Sequence, residues 1–260
     1  MVFAMGERAQ AFLDVSGVSS GYNRVPIVKN VSIQVALGEI VLIMGPNGAG
    51  KSTLIKAITG ELPALTGHIS IDGIDITSMG EEDRVNHGIG YVPQSKDVFP
   101  PLTVQENIEM GGYGFKGKDL KDREEEVFAL FPQLLTSRRR AARTLSGGER
   151  KMLGIARALM ARPRLLILAE PTANLAPLIA EKVLQGIVAG GAGAGRAVLL
   201  IEQRVSLGLE VASWGYILTD GQLKLDGSAE ELRAIPDLGK LFLGRGSAGP
   251  VLSGSSGSSQ

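Results

Sequence analysis

The sequence predicts an α/β fold built around a parallel sheet, on three observations. Short apolar runs alternate with helical patterns toward both ends of the chain, as strands and their crossover helices do. Five such runs, Ile40 to Met44, Ile89 to Val92, Leu165 to Ala169, Ala197 to Ile201 and Tyr216 to Thr219, are dominated by Ile, Leu and Val. They are too short for helices and lack polar alternation, the pattern of strands covered on both faces. Glycine is plentiful, at 35 of 260 residues, so the backbone turns sharply or approaches something closely at many points.

In chain order, Phe12 to Val15, Val31 to Val35 and His68 to Asp72 alternate in polarity, with Gly17, Gly38 and Gly73 as turn residues. That period of two predicts an N-terminal antiparallel β-lobe beside the core. From about residue 95 to 162 the pattern becomes helical after the turn at Pro100 and Pro101, and includes the charged stretch Lys118 to Phe131. This predicts an inserted helical subdomain. One folded unit is thus expected over 12–244, followed by a Gly/Ser-rich tail over 245–260 that has too little apolar content to order itself. No fixed-period repeat is visible.

Charge and composition exclude several classes of function. Lys plus Arg number 27 and Asp plus Glu 27, so no overall basic field exists to hold nucleic acid or anionic lipid. No apolar run approaches the roughly 18 residues needed to span a bilayer. Glu7 and Arg8 fall where a secretory peptide needs its apolar stretch. A cytoplasmic location is therefore expected. Without cysteine, disulfides, thiol catalysis and cysteine-ligated zinc are excluded. His68 and His87, the two histidines, are expected at exposed or structural positions. The basic run Arg138 to Arg143 reads as a solvated face.

Two motifs carry chemistry. Gly45-Pro46-Asn47-Gly48-Ala49-Gly50-Lys51-Ser52-Thr53 fits G-x-x-x-x-G-K-[ST] and stands between an apolar strand and a helical pattern, Leu54 to Thr59. Glycines let successive N–H groups point inward as an anion nest, the helix start adds positive potential, Lys51 reaches the β and γ phosphates, and Ser52 offers a hydroxyl to magnesium. This makes the core that of a P-loop NTPase, whether kinase, GTPase or motor. Leu145-Ser146-Gly147-Gly148-Glu149 precedes the amphipathic run Met152 to Leu159, so Ser146, Gly147 and Gly148 open a second helix whose first N–H groups are free for phosphate. Read alone, the same residues also suit a simple N-cap and turn.

Together with Tyr91-Val92-Pro93-Gln94 and Leu165 to Thr172, these motifs resemble, in order and spacing, the ATP-binding subunits of ABC transporters, from about Phe12 to Gly244. Gly88 to Gln94, Ala156 to Met160, Leu175-Ala176-Pro177 and Glu202-Gln203 are similar to the LivF type, the ATPase of branched-chain amino-acid importers. The resemblance implies ATP and Mg2+ as cofactors, with ATP sandwiched between two head-to-tail subunits, the cradle of one facing the Ser146-Gly147-Gly148 segment of the other. It implies an adenine-stacking role for Tyr22, a magnesium-contacting role for Gln94, and a γ-phosphate contact for Gln203, where the wider family carries histidine. Glu170 is expected as the water-orienting base, since it ends an apolar strand opposite the cradle.

The chain departs from the family at Ala169, where an aspartate is usual. A methyl group cannot hold magnesium or its waters, so nucleotide binding with weakened hydrolysis is expected. Two functions follow. The first is a peripheral ATPase on the inner face of the membrane, paired with a second ATP-binding subunit, identical or paralogous. It would drive transmembrane permeases fed by a solute-binding protein, with a permease contact near Gln94 to Leu102, at Phe99 and Pro100. The second is a nucleotide-binding regulatory subunit paired with an active paralogue. A soluble ATPase acting on nucleic acid or ribosomes fits a neutral chain of this length poorly.

Overall fold

The computed structural model describes residues 10–236 and Leu238; the expected tail over 245–260 lies outside the described residues. The first half runs β1 (Ala11–Tyr22), β2 (Val25–Ala36), β3 (Ile40–Met44), α1 (Lys51–Thr59), β4 (Ala64–Ile71), β5 (Ile74–Asp75), α2 (Glu81–Asn86) and β6 (Ile89–Val92). Four helices follow, α3 (Val104–Gly111), α4 (Gly117–Leu130), α5 (Pro132–Thr136) and α6 (Gly147–Leu159). The chain then returns through β7 (Leu165–Ala169), α7 (Pro177–Gly190), β8 (Ala197–Ile201), α8 (Val205–Val211), β9 (Trp214–Thr219), β10 (Gln222–Ser228) and α9 (Ala229–Arg233).

Two sheets form. The smaller is antiparallel, in the order β2-β1-β4-β5. The larger has the order β10-β9-β3-β8-β7-β6, parallel from β9 to β6, with β10 antiparallel at one edge. All five apolar runs lie in the parallel part, because only strands with both faces covered can afford uninterrupted Ile, Leu and Val. Ile43, Ile167 and Leu199 face one way, packing with Leu54 and Ile58 of α1 and with Val15, Ile33 and Ile69 of the antiparallel sheet. Leu42, Leu168 and Leu200 face the other way, onto Leu153 of α6, Phe131 and Val183 of α7.

Gly17 departs from its expected role. It is not a turn between strands but a bulge inside β1, at φ 63, where pairing with β2 slips between Val15 and Val18. Its N–H leaves the ladder and donates to Ser32 Oγ at 2.9 Å. The strand expected over Phe12 to Val15 therefore runs on through the bulge to Tyr22 as one long, bent strand. The edge strand β10 and the helices α7, α8 and α9 were not legible from periodicity.

Helix ends follow local chemistry. α4 stops at Leu130, before the Phe131-Pro132 step, as the restriction on residues preceding proline requires. α1 ends on Gly60 at φ 91, and its last carbonyls are taken by a buried guanidinium: Arg84 Nη1 donates to Ile58 O at 2.7 Å and also to Ala57 O.

Candidate functional site

The carboxyl ends of β3, β8, β7 and β6 lie along one edge of the sheet, and each delivers one group to the same place. The loop 45–50 follows β3, Gln94 follows β6, Glu170 follows β7 and Gln203 follows β8. Together with Ile27 from β2 they line a cavity of about 490 Å³.

The loop after β3 needs its glycines. Gly45 has φ 157, and a Cβ there would lie 2.1 Å from Leu218 O; Gly50, the N-cap of α1, has φ 101. No side chain caps that helix, and its first turn holds no acid. Its leading N–H groups therefore remain available to an anion, reinforced by the helix dipole. Lys51 Nζ donates to Gly45 O at 2.6 Å and to Pro46 O at 2.9 Å, which holds the ammonium over the mouth of the loop. Burial pulls its pKa below the ordinary lysine value, opposed by the nearby charge of Glu170. Ser52 is exposed beside it.

Opposite the loop, Glu170 sits in left-handed backbone at φ 48, its N–H donating to Ile201 O at 2.8 Å. Such a conformation costs a non-glycine residue about 1 kcal/mol or more, and marks a side chain held in a chosen direction. Both carboxylate oxygens are engaged: Gln94 Nε2 donates to Oε2 at 2.7 Å and Gln203 Nε2 to Oε1 at 2.9 Å. Gln203 Nε2 also reaches Asn47 Oδ1 at 2.6 Å, joining this side of the cavity to the loop. Ala169 is half-buried and packs its methyl against the apolar cluster that holds Ile43 and Leu54. It brings no oxygen to the cavity.

Ser146 caps α6 in a reciprocal box: Glu149 N donates to Ser146 Oγ at 3.2 Å and Ser146 N to Glu149 Oε2 at 2.8 Å. The backbone bond holds the Glu149 carboxyl below its usual pKa. Gly148 is required by packing, since a Cβ there would meet Ile179 Cγ2 at 2.2 Å. This helix start does not line the Lys51 cavity. Gly147 borders a separate cavity of about 520 Å³ with Gln94, Asp97, Lys151 and Leu175. Tyr22 is 47% exposed at the end of β1 and outside the Lys51 cavity; Ile27, across the β1–β2 hairpin, is the apolar side chain that enters it.

Sequence reasoning gave no role to Glu202, although it is 1% exposed and accepts from Thr172 N at 2.9 Å. Burial raises its pKa, opposed by the Thr172 hydrogen bonds. It ties the turn after Glu170 to the end of β8. Its signal in the sequence was an acid directly after an apolar strand, which by itself reads as a surface residue. His68 is exposed, with Nδ1 3.5 Å from Asp75, and His87 Nδ1 contacts Asp83 O, both away from the cavity. No group of three or more His, Cys, Asp or Glu suited to a metal occurs among the described residues.

Comparison with known proteins agrees with this geometry. The family model described as ABC transporter matches residues 28–173. The chain is 37% identical over 227 residues to the probable branched-chain amino acid transport ATP-binding protein LivF of Archaeoglobus fulgidus, covering 87% of this chain and 96% of that protein. It is 35% identical to the high-affinity branched-chain amino acid transport ATP-binding protein BraG of Pseudomonas aeruginosa, covering 89% and 99%. Its fold matches the ADP conformation of MJ1267, an ATP-binding cassette of an ABC transporter, with a TM-score of 0.82 at 26% identity, covering 91% of this chain and all of that one. With a phosphate-binding loop, a facing carboxylate and a second capped helix start on one such cassette, this chain belongs to the ABC transporter family as an ATP-binding subunit, an ATPase.

Proposed function

We propose that this chain is the ATPase of a branched-chain amino-acid importer, that it acts as one of a head-to-tail pair, and that Ala169 slows its hydrolysis. The observation that carries the catalytic reading is the bracketing of Glu170 by Gln94 and Gln203 directly across the cavity from Lys51. In turnover, the leading N–H groups of α1 and Lys51 hold the β and γ phosphates. Glu170 accepts a proton from water as the water oxygen attacks the γ-phosphorus, the bond to the β-bridging oxygen breaks, and ADP and phosphate leave. Gln203 orients the Glu170 carboxylate and donates a hydrogen bond without titrating.

A magnesium ion fits only in company with the triphosphate. Of the neutral oxygens that line the cavity, Ser52 Oγ and Gln94 Oε1 would hold it, while Ala169 supplies none. When bound, the ion would neutralise charge on the phosphate oxygens.

Pairing is supported by the separation of the two helix starts. Ser146 and Gly147 are exposed at the start of α6, with Gly148 buried behind them, and none of the three lines the Lys51 cavity of its own chain. A second ATP-binding subunit, identical or paralogous, would bring its cradle to them and exclude water from the shared nucleotide. No helix among the described residues is long and apolar enough to cross a membrane, so membrane attachment would come through permease subunits supplied by a solute-binding protein. Phe99, 40% exposed, and Pro100 offer the apolar contact for a permease helix. The solute is inferred from the names of the LivF and BraG relatives, and the expected unit is residues 12–244 with its helical insert over about 95–162.

A second reading, a regulatory subunit that binds ATP with negligible turnover beside an active paralogue, is favoured by Ala169 alone. Equilibrium ATP binding and single-turnover hydrolysis by the purified chain, with and without Mg2+, test both. Binding with slow but measurable turnover supports the first, and binding with none that Ala169→Asp restores selects the second. No binding at millimolar ATP refutes both.

A further inference from the structure

The segment after β6 is laid along one face of α6. Lys151, Gly154 and Arg157 are three residues apart and so share that face. Lys151 Nζ donates to Gln94 O and stands 3.1 Å from Asp97 Oδ2, with only 12% and 10% of the two side chains exposed. Gly154 lets the segment come close, since a Cβ there would approach Asp97 Cβ at 3.0 Å and its carboxyl carbon at 3.2 Å. The Arg157 guanidinium lies 4.9 Å from the centre of the Phe99 ring. Asn107, fully buried on α3, accepts from Phe99 N at 2.7 Å and donates to Phe99 O at 3.0 Å. The segment is thereby fastened at both ends.

We infer that Lys151 and Asp97 are positioning residues for ATP turnover: their buried ion pair locks the segment carrying Gln94 onto α6, so that Gln94 and the Ser146 helix start move as one body. This rests on the ATPase reading above and adds to it the connection inside a single chain. Gln94 contacts Glu170 in this chain's own cavity, while Ser146 opens the helix offered to the partner's nucleotide. Lys151 lies five residues along α6 from Ser146, about 7.5 Å at the helical rise, within a hydrogen-bonded rod. An exposed pair would be too weak and too easily rearranged for this purpose. A nearly buried lysine that also takes a backbone carbonyl cannot leave without stranding Asp97.

The test uses the full chain with a non-hydrolysable ATP analogue and amide hydrogen exchange, followed by steady-state ATP turnover. In the wild type, nucleotide is expected to slow exchange over 45–53, 94–99 and 146–150 together. In Lys151→Met the protection over 45–53 stays while that over 146–150 is lost. In turnover, kcat falls about tenfold, the size of one charge-assisted hydrogen bond, with KM changed less than about twofold. Lys151→Arg restores both readouts. Asp97→Asn keeps the volume and gives a smaller loss of the same kind, and it serves if Lys151→Met fails to fold. Undiminished protection over 146–150 in a folded Lys151→Met or Asp97→Asn chain overturns the inference while leaving the ATPase reading intact. Absence of protection over 45–53 in the wild type instead overturns the ATPase reading.

Discussion

Gln203 reaches from the end of β8 to Glu170 at the end of β7, its Nε2 donating to Glu170 Oε1 at 2.9 Å while the same nitrogen contacts Asn47 Oδ1 on the phosphate loop. Two neighbouring strand ends and the loop are joined by one neutral amide. A residue that cannot change protonation near neutral pH is the least pH-sensitive choice for that junction.

Glu170→Gln keeps the two amide neighbours but removes the proton acceptor. ATP binding is expected to stay within about threefold of the wild type, while turnover falls by about 10² or more. Titrating fluorescent ATP and measuring phosphate release separates the two effects. An unchanged rate would assign the base elsewhere.

Gln203→His places a titratable ring at the junction. The turnover profile of the variant should gain an inflection near the ordinary imidazole pKa, about 6.5, that the wild type lacks. Gln203→Ala should lower the rate at every pH without adding that inflection.

Ala169→Asp puts a carboxylate at the end of β7, directly before Glu170. Turnover at saturating Mg2+ is expected to rise about 10- to 100-fold, the usual size of a supporting metal contact. Because Ala169 is half-buried against apolar neighbours, the variant should melt below the wild type in EDTA and recover when Mg2+ and nucleotide are added together. Thermal melts of both proteins under the two conditions check this, and a rate equal to the wild type would rule out a role for the missing aspartate.

Glu202 makes a stability prediction with a definite sign. Burial raises its folded pKa, so the folded state binds this proton more tightly than the unfolded chain. Its contribution is fully present below the ordinary carboxylate range and is lost as pH rises through the raised folded pKa. Glu202→Gln should flatten denaturant-derived stability across that window and match or exceed the wild type above it. Glu202→Ala leaves Thr172 N–H without its acceptor and should cost about 1 to 3 kcal/mol at all pH values.

Arg84 is 1% exposed and serves the carbonyls of Ala57, Ile58, Thr77 and Met79. Arg84→Met fills much of the space but donates nothing, and the stranded acceptors should lower stability by about 2 to 3 kcal/mol. Since two of those carbonyls, Ala57 O and Ile58 O, end the helix that begins at Lys51, ATP affinity should fall as well. Urea unfolding and nucleotide titration of the same preparation measure both.

The parallel core and the phosphate loop were legible in the order of residues alone. Strands such as Leu165–Ala169 are apolar throughout because both faces are covered, and Gly45 to Thr53 is recognisable because backbone geometry admits few residues there. The same order also indicated that Glu170, Gln94 and Gln203 follow strands. That these three meet is a property of the fold, since they come from β7, β6 and β8 and their contact depends on strand order and register. The continuation of the first β-lobe strand through the Gly17 bulge to Tyr22, the entry of Ile27 into the cavity, the burial of Glu202 and the Lys151–Asp97 pair were likewise invisible in the chain. Each depends on what lies across space from the residue, and local periodicity records only which face of its own element a side chain occupies.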